Sequence, residues 1–128
     1  MTLYTDLENS LIEISAKGED KITAEFNFSD TLEIFRGHFP GRPILPGIAQ
    51  IELVKLVLEK FLEAGLMVKT VKKTKFSHQI EPGASVHVRI SLTSGQWSQD
   101  SSFGVRADIK SNGKTAGRVN LLLGGHTD

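Results

Sequence analysis

The run from Gly47 to Ala64, GIAQIELVKLVLEKFLEA, limits the fold more than any other stretch of this chain. It is free of proline and rich in strong helix formers. The Pro46-Gly47 pair punctuates its start, and Gly65 stands where a C-terminal cap is expected. At 100° per residue, Ile48, Ala49, Ile51, Leu53, Val54, Leu56, Val57, Leu58, Phe61 and Leu62 cover most of the circumference. Glu52, Lys55, Glu59 and Glu63 form a narrow polar seam. A helix this apolar must be covered on several sides, so the rest of the chain has to supply the cover.

What surrounds it alternates with period two. Ile22, Ala24, Phe26 and Phe28 form one such set, and Val86, Val88, Ile90 and Leu92 form another. Phe103, Val105, Ala107 and Ile109 repeat the pattern, and Gly117 to Leu123 supplies a last strand. Turn residues separate these runs at Gly18, Pro82-Gly83, Ser94-Gly95 and Asn112-Gly113, the last being a typical two-residue hairpin turn. The order is therefore a hairpin, a helix and about four more strands. The links between strands are too short for parallel crossovers. An antiparallel sheet curled around one central helix is the simplest way to cover that helix, which predicts an α+β fold. With 128 residues and no linker or repeat, one domain over residues 1–128 is expected.

Fifteen basic and fifteen acidic residues leave a formal net charge of zero, which argues against general nucleic-acid binding. The absence of cysteine removes disulfides and thiolate chemistry and suits a reducing compartment. No apolar run is long enough to span a membrane, and the N-terminus lacks the basic flank and apolar run of a signal peptide. A cytoplasmic location follows as the expectation.

Chemistry concentrates between the first hairpin and the helix, in FRGHFPGRPILPG, residues 35–47. Its recurrent Gly and Pro hold a stiff, non-repetitive path, which suits a loop that must fix a side chain. His38 is the group in it able to exchange protons near neutral pH. At Gly47 the helix begins, and its first N–H groups lack intrahelical partners. With the helix dipole they can receive an oxygen gaining negative charge. Glu52 follows five residues on, about 7.5 Å along the axis. A base, an oxyanion site and a carboxyl group thus fall within the segment 38–52.

Residues His38, Phe39, Pro40 and Gly41, then Pro43, Pro46, Gly47 and Glu52, closely resemble the signature of the β-hydroxyacyl-acyl-carrier-protein dehydratases of the FabZ/FabA type. KFSHQIEPG, residues 75–83, is a weaker second match to that family's lysine-phenylalanine strand. The resemblance implies a hotdog fold, a sheet wrapped around one long helix. It implies that His38 takes the proton from C2 of a 3-hydroxyacyl thioester, with Glu52 positioning or protonating the departing hydroxyl. An unperturbed imidazole pKa of roughly 6.5 suits such a base. Phe39, Pro46 and Gly47 would contact substrate, with the Gly47 N–H at the thioester oxygen.

The resemblance further implies an acyl carrier protein as partner, delivering the acyl chain on a phosphopantetheine arm. It implies a homodimer, alone or as a trimer of dimers, with His38 of one subunit facing Glu52 of the other. Neither a metal nor a redox cofactor is needed. The longer N-terminal segment of the fatty-acid enzymes has no counterpart, and Leu53-Val54-Lys55-Leu56 replaces the small residues and Gln common after the acid. A specialised polyene- or polyketide-like pathway is therefore as credible as fatty-acid synthesis. An acyl-thioester hydrolase on the same fold and a non-catalytic acyl-carrier binding protein are the competing readings.

Without the motif, His38 would pass for a structural histidine and Glu52 for a solvated residue beside Lys55. Lys69, Lys72, Lys73 and Lys75 could meet an acidic carrier or simply protect an exposed strand from mispairing, two readings of equal weight. His78, His87 and His126 lack metal-ligand spacing and read as surface or strand residues. Trp97 reads as a hairpin or interface anchor.

Overall fold

The computed structural model describes residues 2–29 and 47–125. In chain order these form α1 (Thr2–Ser10), β1 (Leu11–Ala16), β2 (Lys21–Asn27), α2 (Gly47–Leu62), β3 (Leu66–Val71), β4 (Lys75–Phe76), β5 (Ser85–Ser94), β6 (Phe103–Ser111) and β7 (Lys114–Gly125). The strands make one seven-stranded sheet in the order β1-β2-β5-β6-β7-β3, with β4 also pairing β7. Every pairing is antiparallel, as the short connections required.

The alternating runs bury the side they were expected to bury. Ile22, Ala24, Phe26, Val86, Val88, Ile90, Phe103, Val105, Ala107 and Ile109 all face the core. Across β2 and β5 the register sets Phe26 against Val86 and Ala24 against Val88. Phe26 and Phe28 stack with ring centroids 5.7 Å apart. These residues join Ala49, Ile51, Leu53, Val54, Leu56, Val57 and Leu58 of α2 in a single core cluster. Helix and sheet therefore cover each other, which is the α+β arrangement the alternation and the apolar helix demanded.

The Asn112-Gly113 turn joins β6 to β7, with both residues at positive φ, 50° and 85°. That is the two-residue geometry matching the right-handed twist of a hairpin. The Asn112 side chain accepts the Ser85 N–H at 3.0 Å and so ties this turn to the start of β5.

Three features differ from expectation. Helix α1 was not anticipated: it buries Leu7 completely, and its Glu8 pairs with Lys60 of α2. Helix α2 ends at Leu62, not Ala64, and the left-handed residue beyond it is Glu63 (φ 53°) rather than Gly65. The cause lies seven residues apart in the chain: the Glu59 carboxylate accepts the Leu66 N–H at 2.9 Å and draws the chain early into β3. Finally, Ile48 was counted with the apolar arc, yet it is 62% exposed. It lies four residues before Glu52 and so continues the polar seam, on the side of α2 that the sheet does not cover.

Candidate functional site

The first turn of α2 is held against the sheet by close backbone approaches. A Cβ added to Gly47 would lie 2.8 Å from the Phe76 ring, and one added to Gly117 would lie 3.2 Å from that ring. Phe76 belongs to β4, whose Lys75 and Phe76 pair with Arg118 and Gly117 of β7. The aromatic ring thus fills the space left by two glycines, one at the helix start and one in the strand beneath it. A glycine inside a strand commonly marks such an approach. Phe76 stays 44% exposed, so the ring walls the helix start while one side remains open.

Gln50 is the other polar group at this end. It is 2% exposed, and its Oε1 has no hydrogen-bond partner among the described residues. A Cβ on Gly117 would come within 2.3 Å of that oxygen. Sequence reasoning passed over Gln50, although a polar residue inside an otherwise apolar arc was the available signal. Gly117→Ala is expected to destabilise the fold by about 1–3 kcal/mol, because the added methyl would crowd both the buried Gln50 amide and the Phe76 ring. Thermal melting of the variant checks this, and an unchanged midpoint would mean that Gln50 can move aside.

Of the residues singled out from sequence, the structure places Gly47 and Glu52. Gly47 is the first residue of a 16-residue helix, so its N–H and those just after it are the ones without intrahelical acceptors. Glu52 is half-buried on the seam with Ile48, Lys55 and Glu59. At 100° per residue it lies about 140° around the helix from Gly47. Its side therefore differs from the one Phe76 packs against. His38, Phe39 and Pro46 lie outside the described residues.

The remaining sequence candidates sit elsewhere. His78 and His87 are exposed, and His87 lies 3.6 Å from Glu25 on the outer face of the sheet. His126 lies outside the described residues. Trp97 is the anchor that its setting suggested: its indole N–H donates to the Glu19 carbonyl at 2.9 Å. Its ring meets Phe61 and Phe103 edge to face, with centroids 6.2 and 5.8 Å away. It joins the β1–β2 turn to the far end of α2. Among the described residues no group of three or more His, Cys, Asp or Glu could hold a metal ion. Nor is any helix among them long and apolar enough to cross a membrane.

Residues 14–116 match the ApeI-like family, described as ApeI dehydratase. The chain belongs to the ApeI-like dehydratase family. The match takes in β2, all of α2, β3 to β6 and the segment that carries His38. Among curated relatives, the 3-hydroxyacyl-[acyl-carrier-protein] dehydratase FabZ of Enterococcus faecalis is 28% identical over 111 residues, 81% of this chain and 77% of that protein. The FabZ of Oenococcus oeni is 29% identical over 80 residues, 57% of this chain and 58% of that protein. The aligned stretch thus spans little more than half the length of some of these relatives.

Among solved structures, a chain of the dehydratase heterocomplex ApeI:P from Xenorhabdus doucetiae superposes with a TM-score of 0.68 at 26% identity, covering 88% of this chain and 95% of its own. The E. coli PaaI protein of the phenylacetic acid degradation operon superposes at 0.67 with 10% identity, covering 95% and 86%, a likeness of fold alone. The architecture of this ApeI-like protein is the hotdog fold, as the His38–Glu52 segment implied.

Proposed function

We propose that this ApeI-like protein removes water from 3-hydroxyacyl thioesters carried on acyl carrier protein, yielding the trans-2-enoyl thioester. The observation that carries the reading is the family match across residues 14–116, which includes both the H-F-P-G segment and the α2 start. Neutral His38 takes the C2 proton, and the electron pair moves toward the thioester carbonyl. The unpartnered N–H at the start of α2, at Gly47, receives the oxygen as it becomes negative. Glu52 holds the 3-hydroxyl and supplies the proton with which it leaves as water. Phe39 and Pro46, flanking these groups in sequence, contact the substrate. The pathway is fatty-acid synthesis or a related polyene or polyketide assembly.

The working unit in this reading is a homodimer in which His38 of one copy faces Glu52 of the other. Two surfaces support it. Strand β3 ends the sheet path, and it leaves Met67 39% and Val71 49% exposed. The α2 seam presents Ile48 and half-buried Glu52 on the side away from the chain's own sheet. A second copy placed there would cover the apolar side chains and bring Glu52 into an enclosed site.

The deciding experiment offers carrier-bound 3-hydroxyacyl substrates of several chain lengths and follows them by mass spectrometry. Loss of one water from the acyl group is the expected result. Thiol release without enoyl product would replace this reading with hydrolysis, and binding without turnover would leave a non-catalytic carrier-binding protein. Glu52→Gln keeps a hydrogen-bonding side chain but removes the transferable proton. Single-turnover rates should fall by about 10²-fold or more if Glu52 gives up that proton. A rate close to wild type would confine Glu52 to holding the hydroxyl.

A further inference from the structure

The proposed chemistry leaves one hydrogen of the substrate without a partner. Glu52 donates to the oxygen of the 3-hydroxyl, and the Gly47 N–H donates to the thioester oxygen. His38 is engaged with the C2 proton. The hydroxyl carries a hydrogen of its own, which stays on its oxygen when that oxygen departs as water. A hydroxyl both donates and accepts, so a site that holds it in one orientation needs an acceptor as well.

The first turn of α2 contains one. Gln50 is 2% exposed, and its Oε1 has no hydrogen-bond partner among the described residues. Its neighbours Ala49, Ile51, Leu53 and Val54 are buried and apolar, so nothing in the packing asks for an amide there. An acceptor left bare in a protein interior is destabilising, and an apolar side chain of similar shape would avoid that cost. A group that persists in this condition therefore points to a partner from outside the chain.

Position supplies the second argument. Gln50 lies three residues after Gly47 and about 60° around the helix from it, on the same side of α2. Long helical side chains lean back toward the N-terminus, which brings the carboxamide level with the unpartnered N–H groups. The contacts agree. A Cβ on Gly117 would overlap Gln50 Oε1 and lie 3.2 Å from the Phe76 ring, and the same ring lies 2.8 Å from a Cβ on Gly47. Open acceptor and open donors thus gather around one aromatic ring. In a 3-hydroxyacyl thioester, a single carbon separates the carbonyl carbon from the carbon that bears the hydroxyl. Groups that read the two oxygens must be neighbours, as these are.

We infer that Gln50 Oε1 accepts the hydrogen of the substrate's 3-hydroxyl and keeps hold of it while the C3–O bond breaks. This rests on the dehydratase reading above and deepens it, naming the acceptor that orients the leaving group. The hydroxyl arrives past Phe76, which is 44% exposed on a strand of two residues. His38 takes the C2 proton, the C2–C3 double bond forms, and the oxygen leaves as water. One hydrogen of that water comes from Glu52, and the other is the one held by Gln50.

Binding of a 3-hydroxyacyl-pantetheine and of the acyl-pantetheine lacking the hydroxyl, equal in chain length, tests the assignment. Calorimetry in the full-length His38→Ala protein keeps the hydroxylated compound from being consumed. That parent should bind the hydroxylated compound more tightly. Gln50→Met and Gln50→Leu, each added to the parent, should cut the preference about tenfold, the effect of one lost hydrogen bond. Affinity for the plain acyl compound should stay unchanged. Both variants should melt no lower than the parent, because they remove a buried acceptor that lacks a donor, and one folded variant suffices. No preference in the parent, no binding of either compound, or a preference that survives the substitution overturns the inference. An equal loss of affinity for both compounds is such a survival, and it would assign Gln50 to packing. None of these readings needs turnover. A failed preference would leave the dehydratase assay unaffected, and an absent enoyl product would leave the hydroxyl preference standing.

Discussion

Alanine in place of His38 is expected to lower turnover of a 3-hydroxyacyl carrier substrate by about 10²–10⁴-fold, the usual contribution of a positioned general base. The remaining rate would come from substrate binding and the helix-start N–H groups, which the substitution does not touch. A second signature accompanies the loss. In the wild type, kcat/KM should rise with pH as the imidazole loses its proton. The Ala variant should lose that ascending limb along with the rate. Circular dichroism shows whether the fold is kept, so that a folded and inactive variant counts as support. A folded His38→Ala protein with full activity would remove His38 from the mechanism and with it the proposed base.

The second large effect concerns stability. Leu56 lies in the middle of α2, fully buried within the core cluster. Leu56→Ala should destabilise the protein by about 2–5 kcal/mol, through lost burial and the cavity left behind. Domains commonly have only about 5–15 kcal/mol of stability, so the variant should unfold at clearly lower urea concentration. A loss under about 1 kcal/mol would mean that the sheet closes over the gap, and that the helix is less central to the core than its burial shows.

Much of this architecture could be read from the chain alone. Period-two alternation on β2, β5 and β6 follows from a sheet with one buried face, and Asn112-Gly113 could hardly join anything but a hairpin. The apolar helix forced the sheet to cover it. Other elements were hidden for equally physical reasons. Helix α1 is short, and its stabilising contacts are Leu7 in the core and Glu8 with Lys60, partners distant in sequence. The end of α2 was misplaced because a glycine cap is a local signal, whereas Glu59 reaches forward to Leu66 and turns the chain first. Ile48 looked like core because hydrophobicity cannot say which arc of a helix the sheet leaves uncovered.

The candidate site divides along the same line. His38, Gly47 and Glu52 stood out because a titratable group, a helix start and a carboxyl group within one short segment form a linear pattern. Gln50 offered only the signal of a polar residue in an apolar arc, and nothing linear marks its close approach to Gly117 across helix and sheet. A basic groove was half visible in Lys73 and Lys75, for which carrier contact and edge protection had equal weight. The structure groups these lysines with Arg106 and Arg118 around one groove on the outer sheet face, and the arginines lie some thirty to forty-five residues further along the chain.

By itself, then, the sequence determined the α+β class, the central helix, the strand periodicity and the segment to which the proposed chemistry is assigned. All of these depend on residues near one another along the chain, where backbone geometry turns composition into pattern. Only the tertiary structure decided that the outer sheet face gathers four cations around one groove, and that Phe76 bridges Gly47 and Gly117. It likewise decided that the arc of α2 bearing Ile48 and Glu52 is left without the cover of its own sheet. The physical reason is register: antiparallel pairing sets β4, β6 and β7 side by side, and no local preference encodes which side chains then meet.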